Sequence, residues 1–192
     1  MLHKTFVIYV TLALINSAIL QAQTFCKTII HGDSGVEMLK RHYNFPTDIC
    51  IGISKSGASS TTLIKLLSDV RVNHQIESCI IHIGTNDAYQ YINALHLKAV
   101  LQSKYPNCKQ YYIIWGTIGW GSVTNKTPCD QKRYYSKFEM YGFQSITTVG
   151  PGYNWINCIA NTSWNYFSTS QSAHQINSKY NLLITKKLQQ LK

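Results

Sequence analysis

The chain has 192 residues, a length that suits one globular domain with its own hydrophobic core. Apolar residues make up 45% and charged residues 14%, which excludes a disordered chain and a coiled coil. The formal net charge of +10 favours anionic surroundings, but the basic residues are scattered and form no nucleic-acid-binding motif. We therefore expect no nucleic-acid partner.

Residues 1–22 have the order of a secretory signal peptide. Lys4 gives a basic start, residues 6–15 are nearly all apolar, and small residues lead to Ala22. The apolar stretch is shorter than the roughly 20 residues that span a bilayer. We expect residues 1–22 to be removed and residues 23–192 to form one domain. That domain would be secreted, to an extracellular or periplasmic location, with no membrane span.

Short apolar runs alternate with helical patterns through the rest of the chain. The predicted strands are residues 27–31, 49–54, 79–83, 111–115 and 145–149. The predicted helices are residues 36–43, 63–70, 92–100 and 175–191, and no clear structure is predicted for 119–127 and 150–172. Buried strands that alternate with helices form a parallel sheet covered on both faces. The predicted fold is therefore α/β, a three-layer α/β/α sandwich around a five-stranded parallel sheet.

The first three predicted strands all run into small polar turns, which contain Ser34, Gly57 and Asn86. Ligands of such sheets bind beyond the carboxyl ends of the strands, so these residues are candidates for a site. His174, ahead of the last helix, is a candidate general base because imidazole titrates near neutral pH. Each residue alone fits a plainer role, as a helix cap, a turn or a surface histidine. Their joint placement favours a site.

Four motifs in this order resemble the conserved blocks of SGNH (GDSL-like) hydrolases. They are Gly32-Asp33-Ser34, Gly57, Gly84-Thr85-Asn86-Asp87 and His174. The resemblance implies a flavodoxin-like fold and hydrolysis of a small acyl ester, on a glycan or a lipid. It implies Ser34 as nucleophile, His174 as base, and an oxyanion hole made by the backbone N–H groups of Ser34 and Gly57 with the Asn86 amide.

The chain departs from this family at one position. The family places Asp three residues before the histidine, whereas here Gln171 occupies that place. Residues 140–192 contain no Asp or Glu. Three outcomes are open. A Ser/His dyad works with Gln171 or a backbone carbonyl orienting the histidine; an acid such as Asp130 or Asp87 reaches in; or catalysis is lost. The last outcome would leave a catalytically silent module that binds glycan or a cell surface.

Six cysteines follow the expected signal peptide, at positions 26, 50, 79, 108, 129 and 158. An even number in an exported chain favours disulfides, and the pair we favour is Cys129 with Cys158. The alternative is that Cys50 and Cys79 are buried free thiols. No C-x-x-C pair occurs, so no zinc site is predicted, and nothing in the sequence implies an organic cofactor. We expect a monomer whose partner is an ester-bearing small molecule, glycan or lipid.

Overall fold

The computed structural model describes residues 26–42, 45–87, 93–115, 128–146, 153–154, 159–160 and 178–191. Five strands form the main sheet: β1 (Thr28–Gly32), β2 (Ile49–Ser54), β3 (Ser78–His82), β4 (Gln110–Ile114) and β5 (Gln144–Ile146). The helices are α1 (Ser34–His42), α2 (Ser60–Ser68), α3 (Ala94–Lys104), α4 (Pro128–Met140) and α5 (Ser178–Gln189). A short 3₁₀ helix covers Thr85–Asp87.

The sheet has the order β2-β1-β3-β4-β5, and all its strand pairs are parallel. The predicted five-stranded parallel sheet is confirmed. Because β1 lies between β2 and β3, the segments that follow these three strands meet at one edge. Two backbone hydrogen bonds extend the pairing into that edge, from Asp33 N–H to the His82 carbonyl (3.1 Å) and from Lys55 N–H to the Gly32 carbonyl (3.1 Å).

Apolar side chains on the two faces of the sheet form two separate cores, which confirms the three layers. On one face α1 and α5 pack through residues such as Leu39 and Ile184 against β1, β3 and β4. On the other face α2, α3 and α4 pack through residues such as Leu63, Leu101 and Phe138. Successive strand residues point to opposite faces, which is why near-continuous apolar runs suit strands buried on both sides.

One described helix and two described strands were absent from the sequence prediction. Helix α4 begins at Pro128, a residue favoured in the first turn of a helix, and buries Tyr134, Tyr135 and Phe138. Strands β6 (Tyr153–Asn154) and β7 (Ile159–Ala160) pair antiparallel within a segment predicted to lack clear structure. The other elements lie where they were predicted, with bounds that differ by a few residues at their ends.

One disulfide joins Cys26, just before β1, to Cys50 on the neighbouring strand β2. The expectation of disulfides is therefore confirmed, and the alternative of a free thiol at Cys50 is wrong. Cys79 is a buried thiol, as is Cys108. The favoured pair falls outside the description, since Cys158 and the side chain of Cys129 are not among the described residues.

The expected signal peptide, residues 1–22, also lies outside the described residues. Within the described part of the chain, no helix is long and apolar enough to cross a membrane.

Candidate active site

Ser34 is the first residue of α1, directly after β1. Asp33 precedes it and caps the helix, because its side-chain Oδ1 accepts from Gly35 N–H (2.9 Å) and its carbonyl from Val36 N–H (3.2 Å). The plainer role of Ser34 as the helix cap is thus filled by Asp33. The half-buried Ser34 has no hydrogen bond from its hydroxyl to any described residue, and it lies where a helix N-terminus favours negative charge.

The carboxylate of Asp33 is buried and joins three segments. Besides Gly35 N–H, its Oδ1 lies 3.2 Å from Nδ1 of His82, the last residue of β3. Its Oδ2 accepts from Nδ2 of Asn86 (3.2 Å). A carboxylate is an acceptor only, so Nδ1 of His82 carries the proton in this pair. The first turn of α1 and the turn that follows β3 are therefore held by one side chain.

Asn86 lies in the 3₁₀ turn after β3, with its side chain partly exposed to solvent. Its Nδ2 donates to Asp33 Oδ2 and also to the carbonyl of Ala58 (3.2 Å) in the turn after β2. The side-chain NH₂ has two protons, and both have protein acceptors. To donate to a substrate oxyanion, Asn86 must exchange one of these two bonds for the substrate oxygen.

Gly57 lies in a tight turn closed by a hydrogen bond from Ala58 N–H to the Lys55 carbonyl (3.1 Å). Its φ of +73° is a left-handed conformation, which glycine adopts without a steric cost. No atom lies within 4 Å of the position a Cβ would occupy there, and the residue is exposed. The turn therefore leaves open space in front of its backbone, as the approach of a substrate requires.

Comparisons with known proteins bear on the fold. No protein-family model matches the chain, and no curated protein matches it. A solved structure from Streptococcus pneumonia, described as a candidate platelet activating factor, superposes with a TM-score of 0.58 at 12% identity. The match covers 95% of this chain and 98% of that one. The chain therefore has the same overall fold as that structure, a three-layer α/β/α sandwich around a parallel sheet.

A second solved structure, a member of the lipolytic G-D-S-L family from Veillonella parvula, is 14% identical. The alignment covers 62% of this chain and 76% of that chain, with a TM-score of 0.37, which is too low to bear on the fold.

Asp87, the last residue of the G-x-N-D motif, is buried. Its carboxylate accepts from the Ser60 N–H (3.1 and 3.0 Å) and the Ser60 hydroxyl (3.1 Å), and Tyr134 Oη donates to its Oδ2. Burial raises the pKa of Asp87, and these hydrogen bonds oppose that rise. Asp87 thus fastens the turn after β3 to the first turn of α2 and to α4.

The two acids considered as substitutes for the family Asp have partners of their own. Both oxygens of Asp87 are occupied within the core, as just described. Asp130, in the first turn of α4, is 3.8 Å from Arg133 and partly exposed. His174 and Gln171, which complete the predicted site, lie outside the described residues. Of the predicted site residues, the structure brings Ser34, Gly57 and Asn86 to one edge of the sheet.

Three residues that support this edge were not singled out from the sequence. His82 binds Asp33, Tyr134 binds Asp87, and the hydroxyl of Tyr135 donates to the Ile83 carbonyl (2.8 Å). A histidine inside the apolar run of β3 was the one available signal, since a polar residue in a buried strand requires a partner. The tyrosines gave none, because the helix that carries them was not predicted.

A second buried histidine, His31 on β1, points to the opposite face of the sheet from Ile30. Its Nδ1 accepts from Ile53 N–H (2.8 Å), so Nε2 carries the proton and faces Tyr105 Oη (3.0 Å). Desolvation lowers the pKa of His31 to about 3. This histidine is neutral near pH 7 and has a structural role, because its ring nitrogens bind Ile53 and Tyr105 inside the core.

Proposed function

We propose that the chain is an exported carboxylic-ester hydrolase in which Ser34 is the nucleophile and His174 the general base. The observation that carries the proposal is the Asp33 carboxylate, which binds both the first turn of α1 and the Asn86 side chain. Ser34 and Asn86 are thereby held to the same buried group at the edge where SGNH-fold ligands are expected.

In the proposed reaction, Ser34 Oγ attacks the ester carbonyl carbon while His174 accepts the hydroxyl proton. The carbonyl oxygen becomes an oxyanion, which accepts hydrogen bonds from Ser34 N–H, Gly57 N–H and the Asn86 amide. The C–O bond of the leaving group then breaks, and His174 returns the proton to the departing alcohol. Water hydrolyses the acyl-serine by the same steps, which releases the acid and restores Ser34.

Gln171 takes the place of the family Asp in this scheme. Its amide oxygen can accept from Nδ1–H of His174 and orient the ring, but it brings no charge to stabilise the imidazolium. We therefore propose a Ser/His dyad with Gln171 as a positioning residue. Such a dyad is expected to be slower than a triad with a carboxylate.

The proposed substrate is a small acyl ester carried by a glycan or a lipid. The net charge of +10 supports an anionic carrier or surface. The proposed location is outside the cytoplasm, which the Cys26–Cys50 disulfide and the signal-like residues 1–22 both support.

A silent binding module of SGNH fold is the second candidate function. Gln171 favours it, because the usual carboxylate is missing. Asn86 also favours it, because both of its amide protons already have acceptors in Asp33 and Ala58. In this role the same edge would bind an ester-bearing glycan without cleaving it.

Hydrolysis of p-nitrophenyl acetate from pH 6 to 9 separates the two candidates, with Ser34→Ala as the matched control. The enzyme gives turnover that rises through a histidine-like pKa and disappears in the control. Equal rates for wild type and Ser34→Ala, in protein with the same melting temperature, would favour the binding module.

A further inference from the structure

Two of the described cysteines are buried free thiols in the same core cluster. Cys79 is the second residue of β3, and Cys108 precedes β4. Both belong to the same buried cluster, with 0% and 8% of their surface exposed, and each thiol shifts the pKa of the other.

The backbone around Cys108 is fixed next to Cys79. Cys79 is paired with Tyr111 across β3 and β4, and Tyr111 Oη donates back to the Cys108 carbonyl (3.0 Å). The Cys108 N–H donates to the Tyr105 carbonyl (2.9 Å) at the end of α3. Both cysteines are therefore held in place by backbone and side-chain contacts on each side.

We propose that Cys79 and Cys108 form a second disulfide in the exported protein, beside Cys26–Cys50. The site is a dithiol that takes a small-molecule disulfide, such as oxidised glutathione, as its oxidant. Four cysteines are left once Cys26 and Cys50 are bonded, so this assignment leaves Cys129 and Cys158 as the remaining pair.

The chemistry of the pair sets the order of the steps. The hydrogen bond from Cys79 lowers the pKa of Cys108, whereas that contact together with burial raises the pKa of Cys79. The Cys108 thiolate attacks the oxidant first and forms a mixed disulfide, with one thiol released. Cys79 then loses its proton and displaces the second thiol. The protein gives up two electrons and two protons, and both are carried away by the two thiols of the reduced oxidant.

The position of the bond separates its effect from catalysis. Cys79 and Cys108 lie towards the amino ends of β3 and β4, as Cys50 lies towards the amino end of β2, whereas Ser34 and Asn86 follow the carboxyl ends of their strands. The disulfide closes a loop of about 30 residues around α3, and it stabilises the fold by restricting the unfolded chain. We expect the bond to affect stability and to leave the active-site edge unchanged.

Peptide mapping of the secreted chain tests the assignment directly. The protein is denatured in acid, alkylated without reduction and digested, and cross-linked peptides are identified by mass spectrometry. The proposal predicts a peptide pair joined through Cys79 and Cys108, with neither cysteine alkylated. Alkylated Cys79, or Cys79 joined to any other cysteine, would overturn it.

A variant pair gives an independent readout. Cys79→Ala is expected to expose one new titratable thiol in denaturant, that of Cys108, and to lower the melting temperature by on the order of 10 °C. Cys79→Ala/Cys108→Ala should lose as much stability and expose no thiol. Esterase activity at 25 °C should stay within about twofold in both variants. A thiol count in Cys79→Ala that is one lower than in the wild type would overturn the proposal, whether or not the protein proves to be an esterase.

Discussion

Replacing Asp33 with asparagine tests whether one carboxylate holds the candidate active site together. Asp33 uses Oδ1 for two donors, Gly35 N–H and His82 Nδ1, and Oδ2 for the Asn86 amide. Asparagine keeps the size of the side chain but has a single acceptor oxygen. If that oxygen takes the Oδ1 position, the new NH₂ points at the NH₂ of Asn86 from about 3.2 Å, and two donors face each other.

The expected loss follows from this count of bonds. A hydrogen bond to a charged group is worth about 1.5–3 kcal/mol, and one such bond is lost while two become neutral. Asn86 is exposed and can turn to water, so the penalty falls mainly on the buried amide of the new residue. We expect the free energy of unfolding to fall by about 2–3 kcal/mol. The rate of ester hydrolysis should fall about tenfold or more, because an oxyanion donor is loosened but not removed.

Urea unfolding at pH 7 and p-nitrophenyl acetate hydrolysis measure the two effects separately. Asp69→Asn is the matched control, since Asp69 is exposed at the end of α2 and the same substitution there should change stability by less than about 0.5 kcal/mol. If Asp33→Asn matches this control in both stability and rate, the carboxylate does not organise the site. A loss of stability alone would limit its role to the fold.

Three further predictions concern His31, Gly35 and the pair Gln171 and His174. The lowered pKa of His31 means that its contribution to stability is full above pH 6.5 and is lost as the pH falls towards 3. Between pH 7 and 5 the free energy of unfolding of the wild type should therefore fall by about 2 kcal/mol because of His31. This loss should be absent in His31→Gln and retained in the exposed control His96→Gln. Gly35→Ala places a Cβ in steric conflict with Cε1 of the buried His82 ring, so it should destabilise by about 1–3 kcal/mol in urea unfolding despite the better helix propensity of alanine. Gln171→Asp should keep or raise the rate of p-nitrophenyl acetate hydrolysis, whereas His174→Ala should abolish it.

Each of these predictions has a contradicting result. Equal pH dependence of wild type and His31→Gln would show that His31 is not buried in neutral form. Wild-type stability in Gly35→Ala would show that the His82 ring does not lie against the first turn of α1. Full activity in His174→Ala would place the general base elsewhere in the chain.

The sheet and most helices could be predicted because local patterns encode them. The apolar runs of β1 to β4 stand out, and turns such as Gly84-Thr85-Asn86-Asp87 mark where strands end. Helix α4 could not be recognised in the same way. Its buried residues are Tyr134, Tyr135 and Phe138, set among lysines and polar residues, so no apolar stripe of helical period extends along it.

The candidate site was predicted as positions along the chain, but its supporting contacts were not. Asp33 forms hydrogen bonds with His82 and Asn86, which lie 49 and 53 positions later in the sequence. These contacts depend on the order of the strands in the sheet. The disulfide has the same origin. Cys26 and Cys50 come together because β1 and β2 are neighbours, which no spacing of cysteines in the sequence expresses.

The central claim is that Ser34 is an activated nucleophile, and labelling with an organophosphonate probe tests it most directly. The full chain and the Ser34→Ala variant are incubated with the probe at pH 8, and the modified residue is located by peptide mass spectrometry. The account predicts stoichiometric labelling of wild type at Ser34 and none of the variant. A folded wild-type protein that stays unlabelled, or that is labelled at another residue, would contradict it.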